Sequence, residues 1–326
     1  MFAGDVFDSF DAAERLRGAF RSRIARLHKG CRVLFLPGNH DEQRQGNRRL
    51  SALDLGSVTL LDRRPYSLVQ FEADAIEVVA IPEQHHYERC LSWDVPAKAA
   101  SIRIVLAHGI VPGMAYTGPI VAEDANVGSS ALIDPRLFHD LRADYVALGH
   151  LHGRRQAVEN GMILSYPGSS RVCRRGESGE RGVCRITINS TGLTSEFVSL
   201  RAAGQYRPYE VPVDLSGTID IASLNPEIWD HNDWVAIQAT GVVEDENALP
   251  LSVSALLQRY ASTVRRFEVE TEGCEAMPGI ASQPLAKRFL EVWQASEPEK
   301  SSERPAWLRA RQLGLLAIKQ ELEAGR

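Results

Sequence analysis

Arg32-Val33-Leu34-Phe35-Leu36-Pro37-Gly38-Asn39-His40-Asp41 joins an apolar segment directly to a run of polar groups. Its first five residues predict a short buried strand, which Pro37-Gly38 breaks. An amide, an imidazole and a carboxylate then follow in succession. Three other places carry polar groups beside glycine at the end of an apolar strand: Gly4-Asp5-Val6-Phe7-Asp8, Ala107-His108-Gly109 and Gly149-His150-Leu151-His152. Apolar runs at Ile76 to Ile81, Ile102 to Ala107, Tyr145 to Leu148 and Met162 to Tyr166 predict further strands buried on both faces. With helices between several of them, the pattern is that of a layered α/β fold.

Open α/β sheets place their ligands at the C-terminal ends of strands, where all four signals fall. Adjacent glycines let the backbone turn sharply and approach an ion. A carboxylate, an amide oxygen and three imidazoles make a mixed nitrogen and oxygen shell, suited to manganese, iron or zinc rather than to a thiolate-bound metal. Each signal has an ordinary alternative. His150 alone could be a structural histidine, Asn39 a turn residue, and Asp8 the N-cap of the helix that follows. Four signals in one order point to a metal centre.

Composition sets bounds on the rest. The 326 residues allow one large α/β domain and a smaller one. The net charge of −5 leaves nucleic-acid binding to local patches. Of the 37 basic residues, 32 are arginine, a bias that genome composition alone could produce; arginine also grips phosphate in bidentate fashion. The cysteines (Cys31, Cys90, Cys173, Cys184, Cys274) are scattered and odd in number, as expected of reduced thiols in a cytoplasmic protein. No apolar run approaches the roughly 18 residues of a membrane span. The start Met1-Phe2-Ala3-Gly4-Asp5 lacks the character of a signal peptide.

Periodicity predicts a helix over residues 11–28, with Ala13, Leu16, Phe20, Ile24 and Leu27 as its stripe, and Glu196 to Leu200 as the last strand of the first body. The expected domains are residues 1–204, a small α+β unit at 205–295, and a linker with a terminal helix at 296–326. Within the small unit, Tyr209 to Val213 leads into a weak helical stretch, strands are expected at Trp234 to Ala239 and Arg266 to Glu270, and a helix at Leu251 to Ala261. Ser296 to Pro305 reads as a mobile linker. The final helix carries an apolar stripe of Leu308, Leu313, Leu316, Ala317 and Leu322, suited to docking on a partner or to packing on its own unit.

The ordered set G-D-x-x-D, G-N-H-D, H-G, G-H-x-H, over roughly residues 4–153, resembles the calcineurin-like metallophosphoesterases. That resemblance implies a four-layered α/β/β/α sandwich holding two divalent ions, manganese first and iron or zinc next. It makes Asp5 the bridging ligand, Asn39, His108 and His150 ligands of the second ion, and His152 a ligand of the first. His40 would contact the phosphate and protonate the leaving oxygen, while Asp8 and Asp41 would orient their neighbours. Tyr166-Pro167-Gly168-Ser169-Ser170, Gly176-Glu177 and Arg181-Gly182-Val183 resemble a stretch of the SbcD-type nucleases. This implies DNA ends as substrate, a capping domain, an SbcC-like ATPase bound through the C-terminal helix, and leaves a homodimer open. Arg171, Arg174, Arg175, Arg181 and Arg185 could line a DNA path, or form a solvated turn. The family's D-x-H motif precedes G-D-x-x-D, and this sequence begins three residues before Gly4. The expectation is therefore a first metal site weakened to Asp5 and His152, with an upstream extension of the reading frame as its explanation. A small-molecule phosphoesterase and a non-catalytic scaffold subunit remain the competing readings.

Overall fold

Strands whose side chains are apolar on both faces can only be covered on both faces, and three neighbouring strands show how. In a computed structural model of the chain, which describes residues 1–27, 29–41, 49–83, 97–114, 132–219, 221, 224–300 and 303–324, β5 (Ile76–Ile81), β6 (Ile102–His108) and β7 (Tyr145–Gly149) are parallel neighbours. Val79, Ile81, Val105, Ala107, Val146 and Leu148 face one core. Val78, Ala80, Ile104, Leu106 and Tyr145 face another. The alternation is the two-residue period of a strand, read on both sides.

These strands belong to a six-stranded sheet ordered β4-β5-β6-β7-β9-β8, in which β4 (Ser67–Phe71) and β8 (Arg155–Glu159) are antiparallel edges and β9 (Met162–Tyr166) continues the parallel set. On one face lies α2 (Arg136–Asp140), whose Leu137 and Phe138 are buried in the first core. Arg103 of β6 is buried beneath it. Its guanidinium pairs with Glu77 (2.7 Å) and donates to the carbonyl of Leu141 at the helix C-terminus (2.8 Å). A cation there complements the helix dipole.

Against the other face pack β2 (Leu34–Leu36) and the hairpin of β10 (Gly182–Asn189) and β11 (Gly192–Ser199). A polar seam runs through this layer, with Tyr145 Oη 3.4 Å from Ser195 Oγ and Ser165 Oγ 3.2 Å from Cys184 Sγ. β2 sits between β1 (Phe2–Ala3) and β3 (Thr59–Leu60) in a parallel three-stranded sheet. Its far face is covered by α1 (Phe10–Ile24), through Phe10, Ala12 and Ala13 against Phe35. Ser9, rather than Asp8, caps α1, its Oγ accepting from Ala12 N–H. Leu16 is 44% exposed and Leu27 lies beyond the helix end, so the expected stripe holds only at Ala13, Phe20 and Ile24.

The described residues divide into two compact units: Met1–Ser170 with Arg181–Leu200, and Arg171–Glu180 with Arg201–Arg326. The second has a parallel sheet ordered β12-β13-β14, from β12 (Tyr206–Pro212), β13 (Trp234–Val243) and β14 (Arg266–Ala276). α3 (Leu249–Tyr260) packs with this sheet through Leu249, Val253 and Leu256. α4 (Pro284–Ala295) and α5 (Arg304–Ala324) bury Ala286, Leu315 and Ile318 together with Val242. The C-terminal helix thus packs on its own unit, the second of the two arrangements its apolar stripe left open. Gln312, Leu315 and Ile318 are its buried positions, while Leu313 of the expected stripe is 57% exposed. The segment expected to be a mobile linker is bridged by stacked indoles. Trp293 and Trp307 lie 3.7 Å apart at 15°, and each Nε1–H donates to the other's carbonyl, at 2.7 and 2.9 Å. Gly314 permits this approach of the two helices, since a Cβ there would lie 2.1 Å from the Phe289 ring. His28 of the expected first helix and Cys90 lie outside the described residues. No described helix is long and apolar enough to cross a membrane.

Candidate metal centre

Four parallel strands end at one place. Asp5 lies two residues beyond β1, Asn39 three beyond β2, His108 is the last residue of β6, and His150 follows β7. Their donor atoms converge. His108 Nε2 is 2.9 Å from Asn39 Oδ1, 3.3 Å from Asp5 Oδ2 and 3.3 Å from His150 Nδ1, while His150 Nδ1 is 3.2 Å from Asn39 Oδ1. Among the described histidines, cysteines and carboxylates, Asp5, His108 and His150 are the three whose ligand atoms lie close enough (within 4.8 Å) to share an ion.

The donor set fits a cation for a reason of tautomerism. Ala3 offers its carbonyl 2.7 Å from His108 Nδ1, and a carbonyl can only accept. The proton of the neutral ring therefore resides on Nδ1, and Nε2 presents a lone pair. That lone pair faces an amide oxygen and a carboxylate, both acceptors. Three acceptors around one point repel unless something positive lies between them. Burial lowers the pKa of His108, but the Asp5 charge and hydrogen bond outweigh it and raise the value overall. Burial likewise pushes Asp5 up, yet His108 and the His40 N–H hold it down at about 2. Both shifts express a field that favours positive charge at this point. The nitrogen and oxygen mixture suits manganese, iron or zinc.

The backbone is strained to bring these groups together. Asp5 (φ 53°) and His150 (φ 104°) are both left-handed without being glycine, a conformation that costs roughly 1–3 kcal/mol and collects at functional sites. Gly149 makes the closest approach of all. A Cβ on it would fall 1.7 Å from the Ala3 carbonyl oxygen that orients His108.

The other expected residues take more varied places. Asp41 is wholly buried, and its carboxylate accepts from Phe7 N–H (2.8 Å), Gly38 N–H (2.9 Å) and Val6 N–H (3.4 Å), tying the Asp5 loop to the Asn39 loop. Burial raises its pKa to about 6, with the two closest N–H donors opposing the shift and the Asp5 charge adding to it. His40 donates its backbone N–H to Asp5 Oδ1 (3.0 Å), and its Nδ1 lies 3.2 Å from the carbonyl of Asp8. Asp8 thus meets His40 through its backbone. His152 lies outside the converging cluster; its carbonyl accepts from Ser169 N–H (3.0 Å) and from the guanidinium of buried Arg181. Arg171, Arg174 and Arg175, expected in the first domain, belong instead to the second unit, where Val172 is buried with Trp234 and Ala236. Arg175 is engaged there by Glu270 and by Tyr206 Oη at 3.4 Å. The Ala3 carbonyl went unread in the sequence, because a backbone atom leaves no signature in residue type.

Residues 1–154 match the family model of the calcineurin-like phosphoesterases. Residues 1–154 form a calcineurin-like phosphoesterase domain. The mixed α/β architecture with several sheets agrees with that fold, and the second unit is an addition to it. The family consists typically of metal-dependent hydrolases of phosphoesters, which accords with the Asp5, His108 and His150 cluster of this phosphoesterase domain. No curated protein matches the chain.

Proposed function

We propose that the chain is a metal-dependent phosphodiesterase acting on DNA ends. The observation that carries the hydrolytic part is the convergence of the lone pairs of Asp5, Asn39, His108 and His150 at the ends of β1, β2, β6 and β7. Packing of α1, two sheet layers and α2 in succession supports the four-layered α/β/β/α sandwich of the family. The DNA part is supported by the likeness of Tyr166 to Ser170 and Arg181 to Val183 to SbcD-type nucleases, and by the appended α/β unit, read as a capping domain.

Asp5, Asn39, His108 and His150 would hold one divalent ion, and Asp5 with His152 would contribute to a second, manganese being the first choice. Such ions supply Lewis acidity and the charge that an anionic diester requires. His40 donates Nδ1–H to the Asp8 carbonyl, which orients the ring; as the imidazolium it would bring Nε2–H to the phosphate and pass that proton to the leaving oxygen. Asp41 keeps the Asp5 and Asn39 loops in register. An SbcC-like ATPase is the partner that the same likeness suggests. Because Leu315 and Ile318 are buried within their own unit, docking falls to the outer side of α5, where Leu313 is exposed.

The test measures manganese-dependent cleavage of a duplex DNA end, of a chromogenic phosphodiester and of a phosphomonoester by the chain and by His40→Ala. Diester cleavage should exceed monoester cleavage, and His40→Ala should lower turnover by about 100-fold or more while manganese content stays unchanged. Monoester cleavage alone would favour a small-molecule phosphoesterase. Manganese binding without cleavage of any substrate would favour a scaffold subunit, and loss of manganese on His40→Ala would make His40 a ligand.

A further inference from the structure

The loop that follows His108 is held by a residue two strands away. Tyr166, the last residue of β9, reaches past the end of β7, and its hydroxyl accepts from Val111 N–H (3.0 Å) and donates to the Gly109 carbonyl (2.8 Å). One oxygen therefore satisfies a donor and an acceptor of the same buried loop, starting at the residue next to His108. Buried backbone groups need partners, and these two find theirs on a side chain instead of on a neighbouring strand. Tyr166 is fully buried, which raises its phenol above the usual range, with the Val111 N–H opposing, so the hydroxyl keeps its proton to donate.

A brace must be anchored at its other end, and this one is. Pro167 and Gly168 follow Tyr166, and Ser169 N–H donates to the His152 carbonyl at 3.0 Å. Gly168 runs so close beneath that carbonyl that a Cβ would lie 2.7 Å from the oxygen. The Arg181 guanidinium donates both to the same carbonyl and to Ser169 Oγ, the latter at 3.2 Å. Tyr166 to Ser169 thus spans from the His108 loop to the His152 loop.

We propose that Tyr166 is the positioning residue of the His108 loop, fixing the approach of Nε2 to the metal site through Gly109 and Val111. The inference rests on the reading of Asp5, Asn39, His108 and His150 as metal ligands. Groups that orient a metal ligand from behind are typically worth about 10–100-fold in metal affinity.

Tyr166→Phe removes the hydroxyl and keeps the ring. Tyr145→Phe is its reference, deleting a hydroxyl in the same sheet, on the face away from α2, that lies 3.4 Å from Ser195 Oγ and not against the Gly109 or Val111 backbone. Manganese titrations of the full-length chain, followed by the paramagnetic resonance of free Mn²⁺, would run beside thermal melts, with an osmolyte holding marginal variants folded. Tyr166→Phe should weaken manganese binding about 10-fold or more, while Tyr145→Phe stays within about twofold for a comparable loss of melting temperature. Equal affinities for the wild type and Tyr166→Phe, or equal losses in both variants, would overturn the role of Tyr166 and leave the metal site standing. A wild-type chain that binds no manganese would overturn both readings.

Discussion

Gly149→Ala adds one methyl group at the tightest point of the site. Gly149 does not have a left-handed φ, so alanine suits its backbone and the cost is steric. The methyl carbon would fall 1.7 Å from the Ala3 carbonyl oxygen and 3.0 Å from His108 Nδ1. A carbon and an oxygen rest at about 3.4 Å, so β1 and β7 must part by more than an ångström. That movement takes the Ala3 carbonyl away from His108 Nδ1–H. Overpacking costs about 1–3 kcal/mol, and loss of the hydrogen bond about 1 kcal/mol more. Urea unfolding should therefore report a loss of about 2–4 kcal/mol. Manganese affinity should fall about 10-fold or more, because the ring that presents Nε2 is no longer oriented. Gly161→Ala is the control, since Gly161 sits at φ +83° with nothing within 4 Å of an added Cβ. It should cost about 1–2 kcal/mol from backbone strain alone and leave manganese affinity unchanged. Wild-type stability in Gly149→Ala, or parallel losses of affinity in both variants, would refute the account of the Ala3 carbonyl.

Deleting residues 304–326 removes Leu315 and Ile318 from the core they share with Val242, Ile280 and Ala286, so thermal melts of the truncated chain should show the second unit destabilised by several kcal/mol; an unchanged melt would return α5 to the role of a free docking helix. Burial raises the Cys274 thiol to about 11, so at pH 8 only about one part in a thousand is thiolate. Timed alkylation with peptide mapping should find exposed Cys31 and Cys173 labelled first, and Cys274 gaining about tenfold in rate per pH unit, whereas prompt labelling at pH 8 would contradict its burial.

Much of the centre was legible because its strands are buried on both faces. Ile76–Ile81 and Met162–Tyr166 stand where their largely apolar runs predict, and the glycine-flanked ligands follow such runs. Elements with one wet face were harder. β10 alternates half-buried and exposed positions after Gly182, so its hairpin was read only at the β11 end, as Glu196 to Leu200. α4 was missed, its apolar residues being split between a buried Ala286 and exposed Leu285 and Val292. In α5 the apolar residues lie on several sides, and periodicity alone did not choose among them. Burial of Gln312, Leu315 and Ile318 was decided by the sheet beneath. Asp8 meets His40 through its backbone carbonyl, an atom common to every residue, so its residue type carries no signal of that contact.

The paired indoles of Trp293 and Trp307 have an optical consequence. Rings stacked face to face at 3.7 Å share their electronic transitions, so this pair should give a split band of opposite signs in circular dichroism. Both rings belong to the second unit, at the join of α4 and α5. The split band would vanish when those helices separate and would be indifferent to changes confined to the four ligand loops. The protein thus carries an unlabelled optical gauge of its C-terminal helix, readable while the metal site is titrated or mutated.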